Sequence, residues 1–142
     1  MDRLSKAARS VTMSRIRGRG NRSTELALRL ALVRAGLSGW RLHPSDVVGR
    51  PDFWFDAERL AVFVDGCFWH CCSRCRIPIP ANNRMYWKAK LTNNKRRDRA
   101  VTRILRAEGI QVRRIWEHEL RTGVGLNHVI MRITIALKCA GG

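Results

Sequence analysis

The chain has 142 residues, 28 of them Lys or Arg and 11 Asp or Glu, for a formal charge of +17 and a sequence pI near 11.5. That length suits one domain with a real core, and an apolar content of 45 % argues against general disorder despite the charge. With no apolar run of about eighteen residues and no apolar h-region in the N-terminal MDRLSKAARS, neither a membrane span nor secretion is expected.

A soluble, cytoplasmic protein with a polyanionic partner follows, and the size of the charge favours nucleic acid. Each phosphate neutralised releases counterions, so a basic surface binds DNA or RNA without reading sequence. A membrane-surface helix would need a Lys/Arg face opposite an aromatic apolar face. Composition does not separate an enzyme on DNA from a basic packing protein.

Residues 1–22 carry seven basic residues and one acid, with Gly18 and Gly20 interrupting any helix; they read as a basic arm with a turn or two around Met13 and Ile16. From Ser23 the spacing of Leu26, Leu30 and Val33, extended by Ala27 and Ala31, predicts a helix. Ser23 or Thr24 supplies its N-cap, Glu25 sits in its first turn, and Gly36 stands at its C-cap. After the turn at Gly49-Arg50-Pro51, the runs Phe53–Phe55 and Leu60–Val64 read as strands, the second covered on both faces. Residues 67–83 form a loop or small stapled knuckle. A long helix follows over Arg84–Glu108, lined intermittently by Trp87, Leu91, Val101, Ile104 and Leu105, with nine basic residues crowding the remainder. Gly109 stops it, Ile110–Trp116 reads as another strand, and Val129–Leu137 as a closing helix. The order α, β-β, α, β, α predicts a mixed α/β domain with a central sheet, residues 23–142 forming a single domain behind the arm.

Three constellations could carry chemistry. Asp52, in Gly49-Arg50-Pro51-Asp52, precedes one strand and Asp65 ends the next, so a hairpin would bring the carboxylates together. Paired acids at strand ends suit Mg²⁺, which takes oxygen ligands and can polarise a phosphodiester. A Pro-Asp followed by a second acid also matches the PD-(D/E)xK nuclease pattern, except that Cys67 stands where its Lys belongs. On the residues alone, two ordinary turn carboxylates are the simpler reading of the pattern.

Second, Cys67, Cys71, Cys72 and Cys75 fall within nine residues, which in a cytosolic chain points to metal rather than disulfide. Cys72 and Cys75 can share a tetrahedral Zn²⁺ with Cys67, and His118 is the best fourth candidate. Vicinal Cys71 and Cys72 seldom both reach one metal, so one of them is spare. Third, His70 could act as general acid or base, or serve as a zinc ligand or a surface imidazole. Beside it, Phe68, Trp69, Tyr86 and Trp87 flank basic segments, where aromatics stack on bases or simply pack as core.

The chain is similar to the very-short-patch repair (Vsr) DNA mismatch endonucleases. The resemblance spans roughly residues 9 to 121 and rests on Met13-Ser-Arg-Ile-Arg, Thr24-Glu25-Leu, Gly49-Arg-Pro-Asp52-Phe, Val62-Phe-Val-Asp-Gly-Cys-Phe-Trp-His70, Tyr86-Trp87, Asn94-Lys-Arg-Arg-Asp98-Arg and Trp116-Glu-His-Glu-Leu. It implies a PD-(D/E)xK restriction-endonuclease-like mixed sheet flanked by helices, a structural zinc, and Mg²⁺-dependent nicking 5′ to the thymine of a T:G mispair. Carried over, Asp52 and the main-chain carbonyl of Val64 hold Mg²⁺, His70 assists the attacking water, and Glu25 supports the site. Asp65 occupies a catalytic position that is His in some members. Cys67, Cys72, Cys75 and His118 match the zinc ligands, His118 replacing a Cys of many relatives. Phe68, Trp69 and Trp87 match an aromatic wedge entering the major groove, while Met13 and Ile16 lie in an arm gripping the opposite groove. The segment Gly18–Arg22 departs in length from that family's arm. The implied partner is mismatched double-stranded DNA bound by a monomer near the bacterial nucleoid, with mismatch-repair proteins as possible associates. Against this reading stand a PD-(D/E)xK nuclease with another DNA target and a non-catalytic zinc module that binds DNA.

Overall fold

The structure, a computed structural model, describes residues 23–140. Helix α1 (23–34) leads into β1 (Trp40–Leu42), β2 (Phe53–Phe55) and β3 (Leu60–Asp65). Helix α2 (Arg84–Ala107) then crosses to β4 (Gln111–Trp116), and a 3₁₀ turn (Glu117–Leu120) precedes α3 (Gly123–Ala140). The sheet runs β1-β2-β3-β4, antiparallel at its first two pairings and parallel at β3–β4. The parallel pair requires a crossover, which α2 provides.

Strand alternation divides the core into two layers. Phe53, Phe55, Leu60, Val62 and Ile115 face Leu28 and Leu32 of α1 and Val129, Ile133 and Ala136 of α3. Trp54, Ala61, Phe63 and Val112 face Leu105 of α2, with Ile110 beside them. Full burial of each of the two phenylalanines of β2 is worth about 1.5–3 kcal/mol.

The structure corrects two sequence expectations and extends two. Leu26, Leu30 and Val33 are exposed, and it is Leu28 and Leu32 that α1 buries. That helix is apolar nearly all round, so its periodicity does not choose a face. Ile104 likewise points outward while Leu105 is buried. The short strand β1 has no counterpart in the predicted order, and α3 begins six residues before the expected Val129. The Gly36 stop holds: its φ is +76°, and Leu37 N–H bonds back to Leu32 C=O.

The turn before β2 aims the site. Arg50 N–H donates to Val47 C=O at 3.0 Å, and Gly49 has φ +79°. A Cβ at Gly49 would run into Val101 Cγ1 of α2 and reach Phe63 Cζ at 3.4 Å. G49A is therefore expected to cost about 2 kcal/mol through overpacking and positive-φ strain. Chemical unfolding checks this; an unchanged midpoint would mean the turn can shift away from α2 at no cost.

Candidate active site and metal centres

The β2–β3 hairpin, in register Phe53↔Val62 and Phe55↔Leu60, places the start of β2 beside the end of β3. Asp52 Oδ2 accepts the Val64 N–H at 2.6 Å, while Oδ1 lies 3.7 Å from His43 Nδ1. His43 Nε2 meets both Glu25 oxygens, at 2.9 and 3.1 Å. One ligand atom each from Glu25, His43 and Asp52 can be chosen so that all lie within 4.8 Å of one another. Burial pushes the Asp52 carboxyl up to about 6 and the charges of Glu25 and Asp65 push it the same way, while the Val64 hydrogen bond and His43 oppose the rise. A divalent cation would relieve that desolvation penalty, and the carboxylates of Asp52 and Glu25 are the hard donors Mg²⁺ takes. The residues present fit such an ion.

Asp65 ends β3 on the opposite face from Val64, towards α2, so the hairpin does not gather it with Asp52 into one ligand group, contrary to the expectation from sequence. There it joins a second polar group, in which His70 Nδ1 is in short contact with Asp98 Oδ2 and 3.9 Å from Asp65 Oδ1. Arg114 of β4 donates through Nη1 to both Asp65 oxygens, at 3.0 and 3.2 Å. Burial raises the Asp65 pKa against the pull of His70 and Arg114. Burial also opposes protonation of His70, but the bond to Asp98 and the charges of Asp65 and Asp98 outweigh it and raise its pKa. An imidazole held at Nδ1 by a carboxylate has its orientation fixed and leaves Nε2 for a substrate or water.

The knuckle after β3 gathers Cys67, Cys72 and Cys75 around His118 from the 3₁₀ turn. Their Sγ atoms lie 3.4, 3.6 and 3.3 Å from His118 Nδ1. Tetrahedral zinc with Zn–S of about 2.3 Å and Zn–N of about 2.0–2.1 Å needs S···N edges of roughly 3.5–3.6 Å, so the four residues fit that ion. Backbone geometry selects between the vicinal cysteines. Cys72 N–H bonds to Cys67 C=O at 2.9 Å, whereas Cys71 has φ +57°, is exposed and stands outside the cluster. Burial drives the Cys67 thiol up to about 12. At Cys72 burial acts the same way, but hydrogen bonds from the backbone of Cys75 and Arg74 outweigh it and lower the pKa. Glu117 ties the 3₁₀ turn to the knuckle by accepting Cys67 N–H at 3.2 Å.

Phe68, Trp69 and Trp87 form a half-buried triangle with centroid separations of 5.2, 5.7 and 5.9 Å. Tyr86, more exposed, packs 5.3 Å from Trp87, and Lys90 Nζ lies over the Trp69 and Tyr86 rings. Trp87, Leu91, Asn94, Asp98, Val101 and Leu105 recur every three or four residues along the inner face of α2. That one face supplies in turn a ring of the aromatic triangle, a core contact, a bond to Trp69 C=O, the His70 partner and two more core contacts. Lys88, Lys95, Arg96, Arg99, Arg103 and Arg106 are exposed around it, a surface suited to phosphates. Met13 and Ile16 lie outside the described residues.

Sequence reasoning passed over His43, Asp98 and Arg114. Asp98 had a signal, as the one acid among the basic residues of α2 and a member of the Asn94–Arg99 string, though without a role assigned to it; Arg114 had a weaker one, a charge in the interior of a strand. His43 had none.

Carboxylates and imidazoles gathered at strand ends, beside a half-buried aromatic cluster and a basic helix, define a hydrolytic site that works on nucleic acid. The profile of the family described as DNA mismatch endonuclease Vsr matches residues 1–76. The Type II nicking enzyme V.XorIIP of Xanthomonas oryzae pv. oryzae is 40 % identical over 120 residues, covering 84 % of this chain and 86 % of its own. The Type II nicking enzyme V.NaeI of Lentzea aerocolonigenes is 42 % identical over 117 residues, 80 % of this chain and 69 % of its own. The DNA mismatch endonuclease Vsr of Escherichia coli is 35 % identical over 117 residues, 82 % of this chain and 73 % of its own. The chain belongs to the Vsr family of DNA mismatch endonucleases, and is a DNA endonuclease that hydrolyses phosphodiesters.

Proposed function

We propose that this enzyme nicks one strand of duplex DNA 5′ to the thymine of a T:G mispair, starting the repair of deaminated 5-methylcytosine. The observation that supports this most is that Phe68, Trp69 and His70 are consecutive, with the two aromatics in the wedge and the histidine on Asp98. Seating the wedge at a mispair thus sets the imidazole beside the backbone of the same step. Wedging costs a few kcal/mol of unstacking and least where pairing is already weak, which favours a mismatch over matched DNA.

In this reading the domain, residues 23–142, is a PD-(D/E)xK-like fold, and residues 1–22 are an arm that grips the far groove through Met13 and Ile16. Asp52 and the Val64 carbonyl hold Mg²⁺, with Glu25 supporting the site through His43. When bound there, Mg²⁺ supplies polarisation of the phosphate and a more acidic water. His70, oriented by Asp98, handles the proton of the attacking water, and Asp65 stands 3.9 Å from that imidazole at the end of β3. The Lys of the PD-(D/E)xK pattern has no counterpart, since Cys67 in its place turns to the zinc cluster. A structural Zn²⁺ on Cys67, Cys72, Cys75 and His118 fixes the knuckle that carries wedge and histidine. No helix among the described residues is long and apolar enough to cross a membrane; we place the enzyme in the cytoplasm at the nucleoid, acting as a monomer, with mismatch-repair proteins as associates.

The test is single-strand nicking of end-labelled duplexes in Mg²⁺, each with one T:G mispair in a different flanking context, beside matched T:A and C:G controls. Cutting 5′ to the mispaired thymine alone is expected. Equal cutting of matched DNA would assign another nuclease target, and tight binding without cutting would assign a binding module.

Loss of one wedge ring tests the recognition half. W69A is expected to reduce the preference for T:G over T:A duplexes about tenfold, within the 1–3 kcal/mol that stacking on one base supplies. Affinity for matched DNA should change less. Anisotropy titrations of both duplexes at one salt concentration measure this; equal losses on the two would identify Trp69 as core.

A further inference from the structure

The roles proposed above leave Arg114 unused, yet it is the most heavily engaged side chain near the site. On β4 it shares the α2-facing side with Val112, where an apolar residue would continue the core. Instead Nη1 binds both oxygens of Asp65, Nη2 donates to Asp98 C=O at 3.1 Å, and Nε donates to Thr102 Oγ1 at 2.9 Å. The guanidinium also lies over Phe63, 4.3 Å from the ring centroid, and Nη1 is 3.9 Å from Asp98 Oδ1. One planar fork therefore joins the end of β3 to the α2 turn carrying Asp98, and those two elements supply both carboxylates that flank His70.

We infer that Arg114 is the positioning residue of this active site. It locks Asp98 in the place from which that carboxylate orients His70, and it takes Asp65 as its counter-charge. Both Asp65 oxygens face the guanidinium, and Asp65 belongs to neither candidate metal group among the described residues, so it acts through Arg114 and not as a cation ligand. Charge-assisted contacts made by three nitrogens of one rigid guanidinium hold geometry more firmly than a flexible ammonium can. The inference rests on the reading of His70 as the group that handles the water's proton.

The experiment compares the full-length chain with R114L, R114K, H70A and the double variant D65N/R114L. In R114L, single-turnover nicking of a T:G duplex is expected to fall about 100-fold, the scale set by misplacing a catalytic group by an ångström. Affinity for the same duplex without divalent cation should stay at the parent value. The low-field proton resonance of His70 Nδ1–H, held by Asp98, should disappear. R114K keeps a cation beside Asp65 but does not span Asp98 and Thr102 together; it is expected to fold like the parent while losing rate and resonance, and it carries the test if R114L does not fold. D65N/R114L should nick no more slowly than R114L. Parent rates in both Arg114 variants, or a lost rate with the His70 resonance intact, would overturn the positioning role. A further loss on adding D65N would give Asp65 a direct part and overturn the counter-charge role. H70A nicking at the parent rate would instead sink the His70 reading, with the resonance still reporting whether Arg114 orients the ring.

Discussion

Replacing Asp52 with Asn is expected to slow single-turnover nicking of a T:G duplex by about 10³-fold or more, while affinity for that duplex stays near the parent value. The Asn side chain keeps an oxygen to accept the Val64 N–H, so the 2.6 Å bond that anchors the start of β2 to β3 has a replacement and the hairpin should hold. What is lost is the negative charge on which a divalent cation depends. Such an ion contributes several kcal/mol of charge stabilisation, and each 1.36 kcal/mol is tenfold in rate. Binding should persist because the wedge and the basic face of α2 lie on other segments. Quenched-flow nicking beside anisotropy binding decides the matter. Surviving cleavage would remove Asp52 from the chemistry, and lost binding would make it a structural residue of the hairpin.

The place of Asp52 beside the end of β3 was legible because its argument is local: two strands joined by a short turn put the start of one beside the end of the other. The same locality made Gly36 and the buried apolar strand β3 readable. The expected pairing with Asp65 failed, because Asp65 leaves β3 towards α2 and meets Arg114 and His70 instead. Helix α1 failed on its face because Leu26, Leu28, Leu30, Leu32 and Val33 surround the axis, and only the sheet selects Leu28 and Leu32. The inner polar group failed for a different reason. Arg114 and Asp65 are 49 residues apart, and His70 and Asp98 are 28 apart. Their meeting depends on the parallel register of β3 with β4 and on the pitch of α2, neither of which is written in a local pattern. The cysteines fall between these cases. Their composition pointed to metal, but the choice of Cys72 over Cys71 is made by one positive φ and one backbone hydrogen bond.

Zinc removal is expected to abolish mismatch-directed nicking, by about 100-fold or more, without unfolding the domain. Neither core layer contains a residue of the knuckle between Gly66 and Arg76, so the sheet and its helices keep their packing when the cluster is lost. Apart from the ring contacts with Trp87, the His70–Asp98 contact and the bonds with Asn94 and Glu117, the knuckle has little else to hold it. Its backbone bonds are isolated turns, such as His70 N–H to Gly66 C=O at 3.1 Å and Arg76 N–H to Cys72 C=O at 3.1 Å. Structural zinc contributes apparent binding energies of about 10–16 kcal/mol in small domains, far more than such turns supply. Once released, the segment lets Phe68 and Trp69 leave Trp87 and lets His70 leave Asp98, so recognition and chemistry fail together. A catalytic displacement of an ångström already costs about 100-fold. The expected record is one zinc per chain by elemental analysis. Chelation should then red-shift tryptophan emission and lose nicking at nearly unchanged far-ultraviolet dichroism. C72A should reproduce the chelated state, and C71S should behave as the parent because Cys71 is exposed and stands outside the cluster. Full nicking by the zinc-free protein would show that the aromatic triangle holds the knuckle by itself. Loss of activity in C71S but not C72A would reverse the ligand choice drawn from the backbone.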